Sequence, residues 1–219
     1  MRIAILGASG RTGAHVLRRA LEAGHEVVAF ARAPSKIGVR HERLTVRTLD
    51  LTRGDAAEIL ADGLAGAGAV ISALGPDSKG KPPVMAAAAE AVLAAARRAG
   101  TGRLVWMTGA GVKLERDAPS LVRSVVRGIM SLAAGEVLRD SEAAARLIAA
   151  SDLDWTIVRA PMLSDDPPSG RLEASRNPPR PAALSRDEIA GFLLDCAAAA
   201  AEPGRWSKAS PFLSLGARR

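Results

Sequence analysis

The sequence has no tyrosine, one cysteine and three histidines among its 219 residues, and aromatics make up only 3%. Without tyrosine, no phenol is available as a proton donor or acceptor. A single cysteine excludes an internal disulfide, and no Cys/His cluster has the spacing of a metal site, so no metal is expected. Cys196 lies in a helical apolar stretch and reads as a buried small hydrophobe. The formal net charge is +7, but its arginines are spread along the chain. A nucleic-acid binder would concentrate positive charge and offer aromatics for stacking, so nucleic acid is not an expected partner. An anionic small molecule suits such a chain better. No apolar run reaches the roughly 18–20 residues of a membrane span without a charge or a helix breaker. The chain opens on a strand-like run, MRIAIL, where a signal peptide would show a longer apolar region. A soluble, cytoplasmic protein is expected, as monomer or homodimer.

What is present is a regular alternation of apolar β-type runs and helical patterns. Strands are expected at IAIL (3–6), EVVAFAR (26–32), RLTVRTLDL (43–51), AVISALG (69–75), RLVWMTG (103–109) and DWTIVRA (154–160). Helices are expected through HVLRRALEAG, ended by Gly24, at 55–64, at 84–100 with a glycine stop, and over 119–150 with a candidate break near Gly135. Ser185 with Glu188 three residues on forms a capping-box pattern that opens a last helix, running to about Gly204. Residues 161–184 are rich in proline and polar residues and too long for a simple connection, which suggests a substrate lid. A short tail, RWSKASPFLSL, follows. Short buried strands separated by helices predict an α/β fold: one Rossmann-type domain over residues 1–219, a doubly wound parallel sheet with a small C-terminal substrate region.

The stretch GASGRTG, Gly7 to Gly13, follows the first strand and opens the first helix, the context in which a glycine pattern signals a dinucleotide. Gly7 permits the tight turn, Gly10 lets the pyrophosphate approach the backbone, and Gly13 allows close packing of the helix. Ala8, Ser9, Arg11 and Thr12 complete the loop, whose free N–H groups and helix dipole favour an anion. There is no GK[ST], which argues against a triphosphate P-loop. The second strand ends in Arg32, with Lys36 close by and no acidic residue. A guanidinium there suits the 2′-phosphate of NADP, where NAD would want a carboxylate for the ribose hydroxyl. NADP(H) is therefore expected over NAD(H), and Arg11 is a second candidate for the 2′-phosphate. Asp50 and Leu51, ending the third strand, are placed to meet the adenine. Ala73, Leu74 and Gly75, ending the fourth, fall where a cofactor ribose would lie.

Beyond these residues the chain resembles the atypical, NmrA-like branch of the short-chain dehydrogenases/reductases. Within it the likeness is nearest to the flavin reductase/biliverdin IXβ reductase group. The stretches that carry it are GASGRTG, the strand ending in Arg32, VISALG, LVWMTGAGV, LDWTIVRAPML and SRDEIAGFLL, from residue 1 to about 195. The resemblance implies a Rossmann domain with a substrate region made from C-terminal loops, NAD(P)H as ligand, and reduction of flavins or linear tetrapyrroles. It also implies that the backbone at Ala160 and Pro161 lines the nicotinamide pocket. Two departures stand out. The reductase group has a serine after the threonine of the fifth strand, where this chain reads Thr108-Gly109. A histidine found on the late helix of some members is missing from DSEAAARLIAA (140–150). Both weigh against biliverdin reduction more than against flavin reduction, which needs stacking and orientation more than a side-chain acid. The Tyr-x-x-x-Lys pair of the main families is absent.

Thr108, at the sheet edge where ligands bind, is the candidate catalytic residue: its hydroxyl can reach the nicotinamide amide or the substrate. Arg159 is either a pocket residue or a structural salt-bridge residue. Met162 and Leu163 offer an apolar wall. Asp165 and Asp166 are adjacent and face opposite ways, so no acid/base pair is expected. His15, His25 and His41 are given no catalytic role. Arg123 and Arg127, four apart on an apolar helix, either face the pocket mouth or solvent. The expected function is an NADPH-dependent reductase that passes hydride to a flavin, quinone-like or other conjugated acceptor. The alternative is an NmrA-like sensor that binds NADP(H) with little turnover.

Overall fold

The computed structural model describes residues 1–75, 84–114, 117, 121–177, 182–198 and 206–217, with backbone alone for 121–134. In chain order the elements are β1 (Arg2–Leu6), α1 (Arg11–Glu22), β2 (Glu26–Ala31), β3 (Leu44–Thr48), α2 (Ala56–Leu64), β4 (Ala69–Ser72), α3 (Met85–Ala99), β5 (Arg103–Gly109) and α4 (Leu121–Ala149). Then come β6 (Asp154–Ala160), β7 (Met162–Ser164), β8 (Leu172–Ser175), β9 (Ala183–Ser185), α5 (Arg186–Ala198) and β10 (Phe212–Leu215).

Eight strands form one sheet in the order β3-β2-β1-β4-β5-β6-β10-β8, and β7 pairs with β9 in a small parallel sheet of their own. From β3 to β6 every neighbour is parallel. Of these, β1, β2 and β4 to β6 are covered on both faces and read as largely apolar runs, whereas β3, at the edge of the sheet, has no buried residue. Successive residues feed opposite faces. Ile3 and Ile5 pack with Val16, Leu17, Ile189 and Leu193, the side of α1 and α5. Ala4 and Leu6 pack with Leu60, Val92 and Ile148, the side of α2, α3 and α4. The chain leaves β1 in one direction and resumes in β4 on its other flank, so a crevice opens at the carboxyl ends of β1 and β4.

Three features differ from the expectations. The 119–150 helix runs unbroken through Gly135; one glycine in a helix interior costs only about 1 kcal/mol, and its neighbours are good helix formers. Residues 161–184 contain three short strands, and the tail supplies β10, which lies parallel to β6 and antiparallel to β8. These strands have 3–4 residues each, too short for periodicity to mark. Finally, the capping box is not made. Ser185 stands just before α5, but its hydroxyl donates to the Asp166 carbonyl at 2.8 Å. The Glu188 carboxylate instead accepts from the Ser169 hydroxyl at 2.9 Å and the Gly170 amide at 2.7 Å. Both side chains fasten the segment 165–170 to the start of α5. The expected helix end near Gly204 lies outside the described residues.

Other caps work across elements. The Asp140 carboxylate of α4 accepts from the Met85 and Ala86 amides at 2.7 and 3.0 Å, satisfying the open start of α3. Arg103, buried at the start of β5, donates to the Cys196 carbonyl and to the Thr156 hydroxyl, and so ties the end of α5 to the sheet. Burial pushes the Cys196 thiol up to about 12, leaving it inert. Among the described residues no helix is long and apolar enough to cross a membrane.

Candidate functional site

The chain leaves β1 through Gly7, whose φ of +75° belongs to the left-handed region that glycine adopts at no steric cost. A Cβ on Gly7 would also meet the Ala73 carbonyl oxygen at 3.0 Å, so this glycine lets the loop lie against the end of β4. The Gly10 amide donates to the Gly7 carbonyl at 2.9 Å and closes the turn. A Cβ at Gly13 would overlap that same carbonyl, so the first turn of α1 can sit directly on the loop only without one. Gly10 is the N-cap, no side chain caps the helix, and its first turn holds no acid. The orphan N–H groups of α1 therefore face outward with no anion of the protein's own upon them. This cradle fits a phosphate.

Beside the loop lies a cavity of about 580 Å³ at the carboxyl edge of the sheet. The glycine loop and the first turn of α1 form one side. Phe30, Ala31 and Arg32 come from the end of β2, Leu49 to Thr52 from the segment after β3, and Ala73, Leu74 and Gly75 from that after β4. Val84, Met107, Leu163 and Arg186 complete the lining. The expected third and fourth strands end early, at Thr48 and Ser72, and the residues just beyond them are those that reach the cavity. Phe30 can pack its ring tip against α2 because Gly63 has no side chain: a Cβ there would overlap Cζ and Cε1 of the ring.

Electrostatics divide the cavity into two regions. At the β2–β3 end, the Asp50 carboxyl is held below the usual carboxylate range, first by a hydrogen bond from the Thr52 hydroxyl at 2.7 Å and then by the Thr52 amide at 3.0 Å. Arg32 and Arg53 add smaller attractions. At the α1–α5 side, Arg186 pairs with Asp165 at 2.6 Å, and Arg11 stands 3.6 Å from the same carboxylate. No cluster of three or more potential metal ligands occurs among the described residues.

Of the residues singled out in the sequence, Gly7, Ser9, Gly10, Arg11, Thr12, Arg32, Asp50, Leu51, Ala73, Leu74 and Gly75 come together around this cavity. Ala8 and Gly13 support the loop from beneath, both buried. Lys36 ends a short 3₁₀ turn, exposed and outside the lining. Thr108, Ala160 and Pro161 also lie outside it, at the ends of β5 and β6. Thr108 follows Met107 on β5 and so points to the opposite face, the side of α3 and α4. Arg159 is structural: it is buried, pairs with Asp117 at 2.7 and 2.8 Å, donates to the Ser210 carbonyl, and lies 3.5 Å from the centre of the Phe212 ring. Leu163 joins the apolar wall, whereas Met162 is 71% exposed. Asp165 turns to Arg186. His15, His25 and His41 contact Asp187, the Met1 amine and the Arg43 amide. The side chains of Arg123 and Arg127 lie outside the described residues.

Leu6, Phe30, Ala31, Leu49, Thr52, Val84, Met107 and Arg186 are lining residues that pattern reading does not single out. Most are ordinary strand-end apolar residues. Arg186 does leave a trace in the sequence: a cation beginning a helix opposes the helix dipole and calls for another explanation.

Comparison with known proteins agrees with this geometry. The model of the NAD(P)H-binding family matches residues 7–200. The protein YwnB of Bacillus subtilis (strain 168) is 31% identical over 111 residues, taking in 51% of this chain and 48% of YwnB. The chain thus spans about half the length of that curated relative in the match. Among solved structures, the anaerobillin reductase ChuY of Escherichia coli O157:H7 has a TM-score of 0.78 at 22% identity, with 100% of this chain and 99% of that one covered. A wide-type short-chain dehydrogenase/reductase of Veillonella parvula DSM 2008, solved with NADP, has a TM-score of 0.74 at 19% identity, covering 97% and 94%. The oxidoreductase YlbE of Lactococcus lactis has a TM-score of 0.78 at 18% identity, covering 99% and 91%. At these identities the shared property is the fold.

Proposed function

The chain belongs to the NAD(P)H-binding family, and on that premise we propose that it is an NADPH-dependent reductase delivering hydride to a flavin, quinone-like or other conjugated acceptor. The observation that carries the reading is the cavity itself. Its glycine loop presents uncapped helix amides, its β2 end carries Arg32, and the chain has no tyrosine. In this reading the first-turn amides of α1 hold the linking phosphates, and Arg32 pairs with the 2′-phosphate. Asp50, kept ionised by Thr52, accepts from adenosine hydroxyl or amino groups. Ala73 to Gly75 leave room for the ribose, and Met107 and Leu163 keep water from the nicotinamide end. Thr108, Ala160 and Pro161 lie outside the lining at the ends of β5 and β6, and with Thr108 turned toward α3 and α4 its hydroxyl is assigned no contact with the nicotinamide in this cavity. Bound there, a reduced nicotinamide supplies the hydride.

No acidic side chain is assigned to protonate the acceptor. Conjugated acceptors need none, because the reduced anion takes its proton from solvent; the protein's part is alignment and exclusion of water. The fold is shared with the ChuY reductase, in keeping with this class. Steady-state assays with NADPH and a panel of free flavins and quinones test the proposal. NADPH oxidation with at least one acceptor, and weaker oxidation of NADH, is expected. Tight NADPH binding with no oxidation by any acceptor overturns it in favour of a sensor, which would show NADP-dependent association with a partner instead.

A further inference from the structure

Two helices meet the cavity with an arginine as first residue. α1 begins at Arg11 and α5 at Arg186, and both line the cavity. A guanidinium there opposes the positive end of the helix dipole, so helix chemistry explains neither. The helices are joined side by side through Asp187, which accepts from Arg18 and Arg19 of α1. Arg186 is also buried, its side chain only 6% exposed. A buried guanidinium has five donors to satisfy, and among the described residues it has one hydrogen-bond partner. That partner is Asp165, whose Oδ1 accepts from Arg186 Nη1 at 2.6 Å. The other oxygen, Oδ2, stands 3.6 Å from Nη1 of Arg11. One carboxylate straddles two arginines from two helices, an oxygen toward each.

Asp165 is a replaceable occupant. It is 64% exposed, and an exposed carboxylate holds its partner weakly. It sets one negative charge against two guanidiniums and two helix ends. The other acids at the start of α5 are engaged elsewhere: Asp187 with α1, Glu188 with Ser169 and Gly170. The segment 165–170 does not depend on Asp165, because Ser185 and Glu188 also fasten it. The side chain can turn to solvent while the backbone stays in place.

We propose that Arg11 and Arg186 form an oxyanion site for the linking phosphates of the bound dinucleotide, filled by Asp165 in the ligand-free protein and vacated by it when the ligand enters. The inference rests on the dinucleotide reading of the cavity. Planar guanidiniums match phosphate oxygens with paired N–H bonds, and Arg11 lies between Gly10 and Thr12 of the phosphate loop. Asp165 thus acts as an intramolecular competitor that keeps Arg186 paired while the site is empty.

Isothermal titration with NADPH, NADH and inorganic pyrophosphate tests this on the full chain, with thermal unfolding as the check that each variant is folded. Asp165→Asn removes the competitor and is expected to tighten all three ligands by about 2- to 5-fold. Arg186→Gln is expected to weaken all three by about 10-fold or more, and Arg186→Lys to recover part of the loss. In the Arg186→Gln background the gain from Asp165→Asn disappears. Weaker binding in Asp165→Asn, which needs only that variant to fold, overturns the proposal. So do unchanged affinities in folded Arg186→Gln or Arg186→Lys, and so does a penalty confined to NADPH, which would move Arg186 to the 2′-phosphate. If the wild type binds pyrophosphate in the predicted Asp165-dependent way but neither dinucleotide, the anion site stands and the dinucleotide reading falls. If both dinucleotides bind and the variants change nothing, the reverse holds.

Discussion

Gly13 shows how little latitude the site allows at a single residue. A methyl group there would overlap the Gly7 carbonyl and approach the Ala8 Cα at 3.0 Å, both of them backbone. Gly13→Ala is expected to destabilise the fold by about 1–3 kcal/mol through overpacking and to abolish detectable dinucleotide binding, read by denaturation and by titration. Arg32 acts more narrowly. Arg32→Ser is expected to weaken NADPH by about 10-fold or more while leaving NADH within about 2-fold; equal losses for both would show that Arg32 does not read the 2′-phosphate. The glycine loop and Arg32 were legible because their meaning is local: a strand, a turn and a helix in consecutive residues. Arg186, Met107 and Phe30 were not, because their approach to the loop is made by the fold rather than by spacing.

Among the elements, the pair α1 and α5 carries the clearest pH signature. The Arg19 guanidinium, hydrogen-bonded to Asp187 at 2.6 and 2.8 Å, holds that carboxyl down to about 2, with help from His15 and Arg18. A depressed carboxyl stabilises the fold above its unfolded value near 3.9, and the contribution fades as pH falls through about 2. Asp187→Asn is expected to cost about 1–2 kcal/mol at neutral pH. The gap to wild type should close between about pH 4 and pH 2, as followed by urea denaturation at each pH. The last strand is a second joint. Phe212 is 1% exposed and lies under the Arg159 guanidinium, so Phe212→Ala is expected to lose about 3–5 kcal/mol, seen as a lower urea midpoint. The parallel strands β1, β2 and β4 to β6 were readable because each is a largely apolar, buried run, whereas β3 lies exposed at the sheet edge. β10 was not: it has four residues, and its place is fixed by an antiparallel partner, β8, that is equally short.

For the whole molecule, the strand order decides where a ligand can go. Reversal between β1 and β4 opens the crevice, and the segments just beyond β3 and β4 line it. A ligand seated there touches both flanks of the reversal and stabilises the native state as a unit. NADPH at about 100-fold its Kd is expected to raise Tm by about 5–10 °C, measured by thermal unfolding; no shift at saturation would place its site elsewhere. The cavity is also assembled from two distant stretches of chain. The loop, Arg32, Asp50 and Gly75 come from residues 6–75, whereas Met107, Leu163 and Arg186 follow much later. During synthesis the phosphate loop therefore emerges well before the arginine and the aspartate that attend it. A nascent chain that has made only the loop still lacks Met107, Leu163 and Arg186, so the cavity is complete only once all three have been made.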